Sequence, residues 1–310
     1  TANDGWIDLR TLSGGLTSSA DASINSVAVG KGANSVAGNT VLGENALDAS
    51  VSGGNNTAIG KDALTTNTTG IQNVAVGSGA LDANTTADSC VAVGFGALGG
   101  NTTADNNTAV GNGALFQNTT GSNNVAVGAF ALDENSTGGS NTAIGMQALS
   151  SNTTASNNTA VGLNALFANT TGTRNAAFGG LSLDAVTTGN DNVGIGYQAA
   201  TGITTGSQNT ALGSAALNGT TTASNVTGVG YLALAANTTG EKNVAVGSLA
   251  LDANTTGNQN SSLGYAALGA NTTGDGNVAI GQRALTTNTT ASNNTAVGFN
   301  ALEVNTTGTD

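Results

Sequence analysis

The sequence predicts an all-β fold, a parallel β-solenoid of sixteen coils with two short strands in each coil. Three observations lead to this fold. Residues 39–310 divide into sixteen units of 17 residues with no insertion or deletion. Each unit has a β-branched run, a short Ala-Leu segment and a polar corner, most often Asn-Thr-Thr-Gly. Counted from Asn39, charged side chains occur only at positions 6, 7, 10, 11, 16 and 17 of the units, which indicates solvated corners.

Stacking follows from the size of the repeat. A 17-residue unit with one or two large apolar side chains cannot fold alone and must pack on its neighbours. Helices are a poor choice for the unit, because Gly recurs every few residues and no apolar stripe repeats at helical spacing. Coils stacked at the strand spacing of about 4.8 Å would make a rod roughly 75 Å long.

Three segments divide the chain. Residues 1–25 lie outside the repeat, and apolar alternation over residues 6–11 predicts a cap or docking strand. Residues 26–38 are predicted to form a shorter first coil, and residues 39–310 form the solenoid. The last unit ends at Asp310 without a cap. Either the natural chain continues, or another subunit covers the open coil.

The two faces of the strand receive different predicted roles. Alternation puts positions 2 and 4 on one face and positions 1, 3 and 5 on the other. Position 4 is always apolar and position 9 is almost always Leu, so these two rows are predicted to fill the interior, with position 2 half-buried beside them. The small Ala and Gly rows then face outward, where they either admit another chain or, at position 5, only allow a positive-φ corner. The predicted core residues are Val76, Leu81, Val93, Leu98, Val110 and Leu115.

Asparagine recurs at positions 1 and 12, and stacked amides one coil apart are expected to form hydrogen-bonded ladders. Cys90 replaces one Asn at position 1 and is expected to be a neutral member of its row. The position-12 residues also begin Asn-x-Thr/Ser sequons, which leaves partial or O-linked glycosylation open. The predicted ladder residues are Asn73, Asn107, Asn124, Asn84, Asn101 and Asn118, and the possible glycosylation sites are Asn67, Asn152 and Asn254.

Composition argues against an enzyme and against a bound cofactor or metal. The chain has no His and one Cys, whereas zinc sites, nucleophile relays and disulfides need more of these residues. Residues 94–99 spell a dinucleotide-binding pattern, but it arises from the repeat and opens no helix. A glycanase would need clustered acids, and the nearest approach, Asp88 with Asp105 one coil apart, is more simply a solvated corner.

Charge and hydropathy bear on partners. The net charge of −12 repels nucleic-acid phosphates, and no apolar run reaches the length of about 20 residues that a membrane helix needs. A homo-oligomer is expected instead. Burying one Val and one Leu per coil gives about 3 to 6 kcal/mol, whereas ordering the coil costs on the order of 1 to 2 kcal/mol per residue. Apolar burial against identical chains would offset part of this unfavourable balance.

The repeats resemble those of two groups of surface proteins. Residues 26–30, Ser-Val-Ala-Val-Gly after Asn25, resemble the head repeats of trimeric autotransporter adhesins, as do the recurrent Asn-Val-Ala-Val-Gly stretches. The longer form Asn-Thr-Ala-Val-Gly-x-x-Ala-Leu-x-x-Asn-Thr-Thr-Gly resembles repeats of phage tail fibres and bacterial surface proteins with endosialidase-type chaperone domains. This resemblance spans residues 26–310. It implies a left-handed β-roll, a homotrimer and an extracellular, cell-surface or virion-fibre location.

The expected function is structural, a secreted protomer of an extracellular fibre. An adhesin head or phage-fibre shaft that binds a host-surface protein or glycan is the alternative. An ice-binding solenoid, suggested by stacked Thr at positions 13 and 14, is remote because adjacent side chains point in opposite directions. For a head-to-tail filament, the N-terminal strand of one subunit would dock on the last coil of the next. The predicted docking residues are Trp6, Ile7 and Leu9 on one side and Asn294, Val297 and Leu302 on the other.

Overall fold

A computed structural model describes residues 21–24, 26–49, 51–306 and 308. Within this part the predicted fold class is confirmed, an all-β parallel solenoid whose coils are 17 residues apart. Regular strand geometry covers positions 2 to 4 of each coil, and the described residues contain a single 3-10 turn, Ala33–Ser35. The strands are β1 Ala22–Ile24, β2 Val27–Gly30, β3 Thr40–Gly43, β4 Thr57–Ile59, β5 Val74–Val76, β6 Val91–Val93, β7 Thr108–Val110, β8 Val125–Val127, β9 Thr142–Ile144, β10 Thr159–Val161, β11 Ala176–Phe178, β12 Val193–Ile195, β13 Thr210–Leu212, β14 Thr227–Val229, β15 Val244–Val246, β16 Ser261–Leu263, β17 Val278–Ile280 and β18 Thr295–Val297.

Strands β3 to β18 pair in chain order, parallel and in register. Thr108 lies beside Val91 on one side and Val125 on the other, so each position contacts the same position of the next coil. This register follows from the constant period, because any insertion would shift one coil against its neighbour. Side chains at one repeat position therefore point to the same side of the sheet in every coil.

A second ladder links the Ala-Leu segments at positions 8 and 9. The Leu64 N–H donates to the Ala80 carbonyl at 2.9 Å, and the Leu81 N–H donates to the Ala97 carbonyl at 3.0 Å. At position 9 the backbone lies in the left-handed region, with φ of 52° at Leu81. Each coil therefore has two bonded walls, a strand and a tighter segment opposite it.

The N-terminal end differs from the predicted short first coil. Strand β1 pairs antiparallel with β2, and β2 pairs antiparallel with β3, so that Val29 lies opposite Leu42. Residues 26–38 thus reverse the chain before the first full coil rather than running parallel to it. The remainder of the predicted N-terminal segment lies outside the described residues.

The interior is the face of the strand that the sequence analysis placed outside. Leu81, Leu98 and Leu115 are fully buried, but the predicted core residues Val76 and Val93 are half-exposed and Val110 is 36% exposed. The prediction for these valines was wrong. The buried rows are positions 1, 3, 8, 9, 12 and 15, that is, the Asn rows together with rows of Ala, Leu and Gly.

The short distance between the two walls of the coil explains why positions 2 and 4 point outward. At Gly228, which occupies position 3, an added Cβ would lie 3.1 Å from Cγ of Leu217 on the opposite wall. With Leu reaching across from position 9, the strand has room for Ala, Ser or Gly at position 3 in all but the first coil, where Val41 is buried. The larger β-branched residues of positions 2 and 4 must therefore point away from the interior.

Glycine at position 5 allows successive coils of the chain to stack closely. From Gly60 to Gly298 the φ angle lies between 128° and 140°, a region that other residues rarely adopt. A Cβ on Gly94 would also lie 2.3 Å from the Gly111 carbonyl oxygen of the next coil. The prediction that small residues face outward was therefore wrong for the Ala row at position 3, which is buried. At position 5 the Gly row forms a corner with positive φ.

Candidate functional site

Two amide ladders run inside the solenoid, and the first joins the position-1 residues. The Asn124 N–H donates to Oδ1 of Asn107 at 2.9 Å, and the Asn141 N–H donates to Oδ1 of Asn124 at the same distance. Each Asn also closes its own coil, since Nδ2 of Asn73 donates to the Ala87 carbonyl at 2.8 Å. These side chains are fully buried, so every amide that stays bonded avoids the penalty of a buried unsatisfied group.

Cys90 weakens the position-1 ladder without opening a reactive site. Its N–H still donates to Oδ1 of Asn73, and its thiol donates to the Ala104 carbonyl. The Asn107 N–H, however, faces the Cys90 sulfur, a weak acceptor, instead of an amide oxygen. Burial raises the pKa of the Cys90 thiol to about 11, against a smaller lowering by the Asn107 N–H. The sulfur is therefore a protonated core group at neutral pH.

The second ladder joins the position-12 residues. Nδ2 of Asn84 donates to Oδ1 of Asn67 at 2.9 Å, and Nδ2 of Asn118 donates to Oδ1 of Asn101 at 2.9 Å. Val186 occupies position 12 of the ninth coil, and the buried Oδ1 of Asn169 just before it has no hydrogen-bond partner. Sequence reasoning overlooked this interruption, although Val186 is visible in the repeat.

The predicted glycosylation sites lie in this second ladder. Nδ2 of Asn67 donates to the Gly70 carbonyl, and Nδ2 of Asn152 and of Asn254 each donate to two acceptors. All three side chains are fully buried. Glycosylation of the folded coils at these residues is contradicted, because a glycan must replace an Nδ2 hydrogen that faces the interior. The sequons belong to the architecture of the coil.

Threonine at position 13 forms a third row of bonds. The Thr68 hydroxyl donates to the Thr85 carbonyl at 3.0 Å, and the Thr85 hydroxyl donates to the Thr102 carbonyl at 3.0 Å. These hydroxyls are consequently engaged along the stack, whereas position 14 points outward. The two Thr rows do not share a face, as strand alternation predicts.

The outward side of the strands presents a long surface, here called the sheet face, with an apolar row at position 4 and a mixed row of Val, Ala, Thr and Ser at position 2. It consists of positions 2 and 4, and it carries no charged residue in any coil. Position 4 is apolar throughout and only half-buried or exposed, even where it is Phe178. The most exposed members of position 4 are Leu42, Val110, Ile144, Phe178, Ile195, Leu212, Leu263, Ile280 and Val297.

The sequence-predicted docking residues fall into two groups. Trp6, Ile7 and Leu9 lie outside the described residues. In the last coil Asn294 is buried, whereas Val297 is 67% exposed and Leu302 is 52% exposed. The equivalent Leu of the preceding coils, such as Leu285, is fully buried.

The acidic residues singled out by sequence have structural partners. The Asp105 carboxylate accepts the Asp88 N–H at 2.8 Å, and the Asp88 carboxylate accepts the Ile71 N–H at 2.8 Å. At position 10, burial raises the pKa values of four half-buried aspartates. These are Asp82, Asp133, Asp184 and Asp252. Across the described ranges, no group of three His, Cys, Asp or Glu side chains could hold a metal ion.

Comparisons with known proteins do not assign the chain to a family. No family model matches it, and a search of curated proteins finds none that is similar. Within the part of the chain described above, no helix is long and apolar enough to cross a membrane.

Proposed function

We propose that this chain is a structural protomer of an extracellular fibre and that it self-associates through the sheet face. The observation that carries the proposal is the charge-free surface of β3 to β18, in which position 4 forms an unbroken apolar row. Exposed apolar patches of more than a few hundred Å² are typical of interaction surfaces. Of the small-residue rows, the first candidate for self-association, the Ala row at position 3 is buried in the interior and the Gly row at position 5 forms a corner.

The dimensions of the sheet face suit a stable oligomer. Sixteen strands about 4.8 Å apart and three residues wide give a face of roughly 75 by 10 Å. This approaches the roughly 800 Å² that each partner contributes to a stable protein interface. Within residues 39–310 the fifteen acids and four bases all occupy corner positions, away from the sheet face, so copies can meet there with limited repulsion.

The alternative is a trimeric adhesin head or phage-fibre shaft that binds a host-surface protein or glycan. The resemblance of the repeats to those families supports it, together with the left-handed roll and homotrimer that the resemblance implies. Both candidates share the sheet face as the contact between copies and place the protein outside the cell or on a virion. They differ in the assembly, which is a long filament in the first case and a discrete trimer with a ligand in the second.

Oligomeric state tests the proposal directly. Sedimentation and electron microscopy of the purified chain should show filaments, whereas discrete trimers that bind cells or glycans would support the alternative. Ile144→Lys puts a charge in the middle of the sheet face and should convert the assembly to monomers. The matched control is Asn123→Lys at position 17, where Lys242 already stands in another coil. A monomeric parent chain, or an assembly that Ile144→Lys leaves intact, would overturn self-association through this face.

A further inference from the structure

Three phenylalanines from three successive coils surround a single pocket at one corner of the solenoid. Phe95, Phe116 and Phe130 line a cavity of about 190 Å³ together with Asp133. This is smaller than the roughly 300 to 1,000 Å³ of sites for drug-sized ligands, so the cavity suits a small chemical group. The pocket lies away from the sheet face, at positions 6, 7 and 10.

Close packing on the preceding coil holds two of the rings. A methyl group added to Gly99 would lie 2.9 Å from Cε2 of Phe116, and one added to Gly113 would lie 3.0 Å from Cδ1 of Phe130. Both rings therefore rest against glycine backbone and keep a defined place, although Phe116 is 49% exposed and Phe95 is 69% exposed. Exposed aromatic rings that converge on one cavity are a costly surface unless something covers them.

Asp133 gives the pocket a negative charge. Its Oδ1 accepts a 2.6 Å hydrogen bond from the Ser150 hydroxyl of the next coil, and no basic residue is among the described side chains that line the cavity. Aromatic faces attract cations through their quadrupole, and a neighbouring carboxylate adds a direct charge. A weakly hydrated organic cation fits this combination better than a neutral apolar group, which would gain nothing from the negative charge of Asp133.

We propose that this Phe pocket binds a methylated ammonium group, such as that of choline or trimethyllysine. The site is independent of the oligomer proposed above. It adds a recognition function to a corner of the solenoid, while the interior rows keep the same structure as in every other coil. The negative net charge of the chain favours the approach of such a cation.

Calorimetric titration of the full chain tests the proposal. The probes are choline and its neutral isostere 3,3-dimethylbutan-1-ol, in which carbon replaces nitrogen at nearly the same shape. Choline should bind at least tenfold more tightly than the alcohol. Phosphocholine and trimethyllysine then distinguish a lipid or glycan headgroup from a modified protein as the source of the group.

Two variants and two matched controls locate the site. Phe116→Leu removes an aromatic face and Asp133→Asn removes the charge, and each should weaken choline binding at least fivefold. The controls are Phe167→Leu and Asp184→Asn, at the same position 10 in other coils, with Asp184 bonded to the Thr201 hydroxyl as Asp133 is to Ser150. Unchanged circular dichroism shows that the variants fold. No binding of choline, equal binding of the alcohol, or equal effects of variants and controls would overturn the proposal.

Discussion

Cys90→Asn should repair the position-1 ladder and stabilise the fourth coil. An Asn at this site offers an amide oxygen to the Asn107 N–H, which now faces sulfur, and an Nδ2 donor to the Ala104 carbonyl. Neighbouring rungs show the expected geometry, with N–H to Oδ1 distances of 2.9 Å at Asn124 and Asn141. Since a hydrogen bond contributes about 0.5 to 1.5 kcal/mol net, the repair should add about 1 kcal/mol locally.

Amide hydrogen exchange measures this effect where global unfolding would not, because coils of a repeat protein open separately. In the parent chain, the backbone N–H of Asn124, which has an amide oxygen as acceptor, should be the most protected from exchange. The N–H of Asn107, which faces sulfur, should be less protected. The N–H of Asn243 should be the least protected, because Val226 in the preceding coil offers no side-chain acceptor. Cys90→Asn should slow exchange at Asn107 about fivefold, the equivalent of about 1 kcal/mol. The reverse change, Asn124→Cys, should speed exchange at Asn141 by a similar factor. Equal protection of Asn107 and Asn124 in the parent chain would refute the reasoning.

Three further predictions concern the core, the corner and the charge. Leu115→Ala should cost about 2 to 5 kcal/mol in denaturant unfolding, whereas Val110→Ala, on the sheet face, should cost less than about 1 kcal/mol; equal costs would contradict the assigned faces. Gly111→Ala should melt its coil, seen as lost exchange protection, because φ is 140° and the added Cβ would lie 2.5 Å from the Gly128 carbonyl oxygen. Burial raises the pKa values of the four position-10 aspartates above 3.8, so the folded chain takes up protons first and stability should rise as pH falls toward about 4. Urea midpoints at pH 7 and 4.5 measure this, and replacing all four aspartates by Asn should flatten the difference.

Much of the fold could be predicted because one period controls it. A constant 17-residue repeat fixes the register, and the charge-free positions identify the rows that pack or bond. Alternation separates two faces of the strand, but it does not say which face is inside. The usual preference of Val and Ile for the interior suggested the wrong answer.

A signal for the right answer was present in the size of the side chains. Position 3 is almost always Ala, Gly or Ser, whereas position 4 ranges from Val to Phe178. A close-packed interior tolerates little variation in volume, so the constant row is the buried one. The left-handed backbone at Leu81 could not be predicted in this way, since Leu rarely adopts this region.

The Phe pocket was missed for a different reason. Its rings are 21 and 14 residues apart in sequence, at three different repeat positions, so neither a motif nor a row reveals them. Stacking brings them together because positions 6, 7 and 10 form one corner in every coil. Predicting such a site requires the coil geometry first and the unusual residues second.

The division between fixed and variable rows also indicates where function can reside in this solenoid. Positions 1, 3, 5, 8, 9 and 12 supply the ladders, the corner glycine and the narrow core, and substitutions there disturb neighbouring coils. Corner positions 6, 7 and 10 vary from Gly to Arg, Asp and Phe with little effect on the backbone. The sheet face lies between these extremes, since position 4 is apolar in every coil but varies in size, and position 2 is either apolar or a hydroxyl residue. A constant surface is expected for contact between identical copies, and a variable corner is expected for recognition of a ligand.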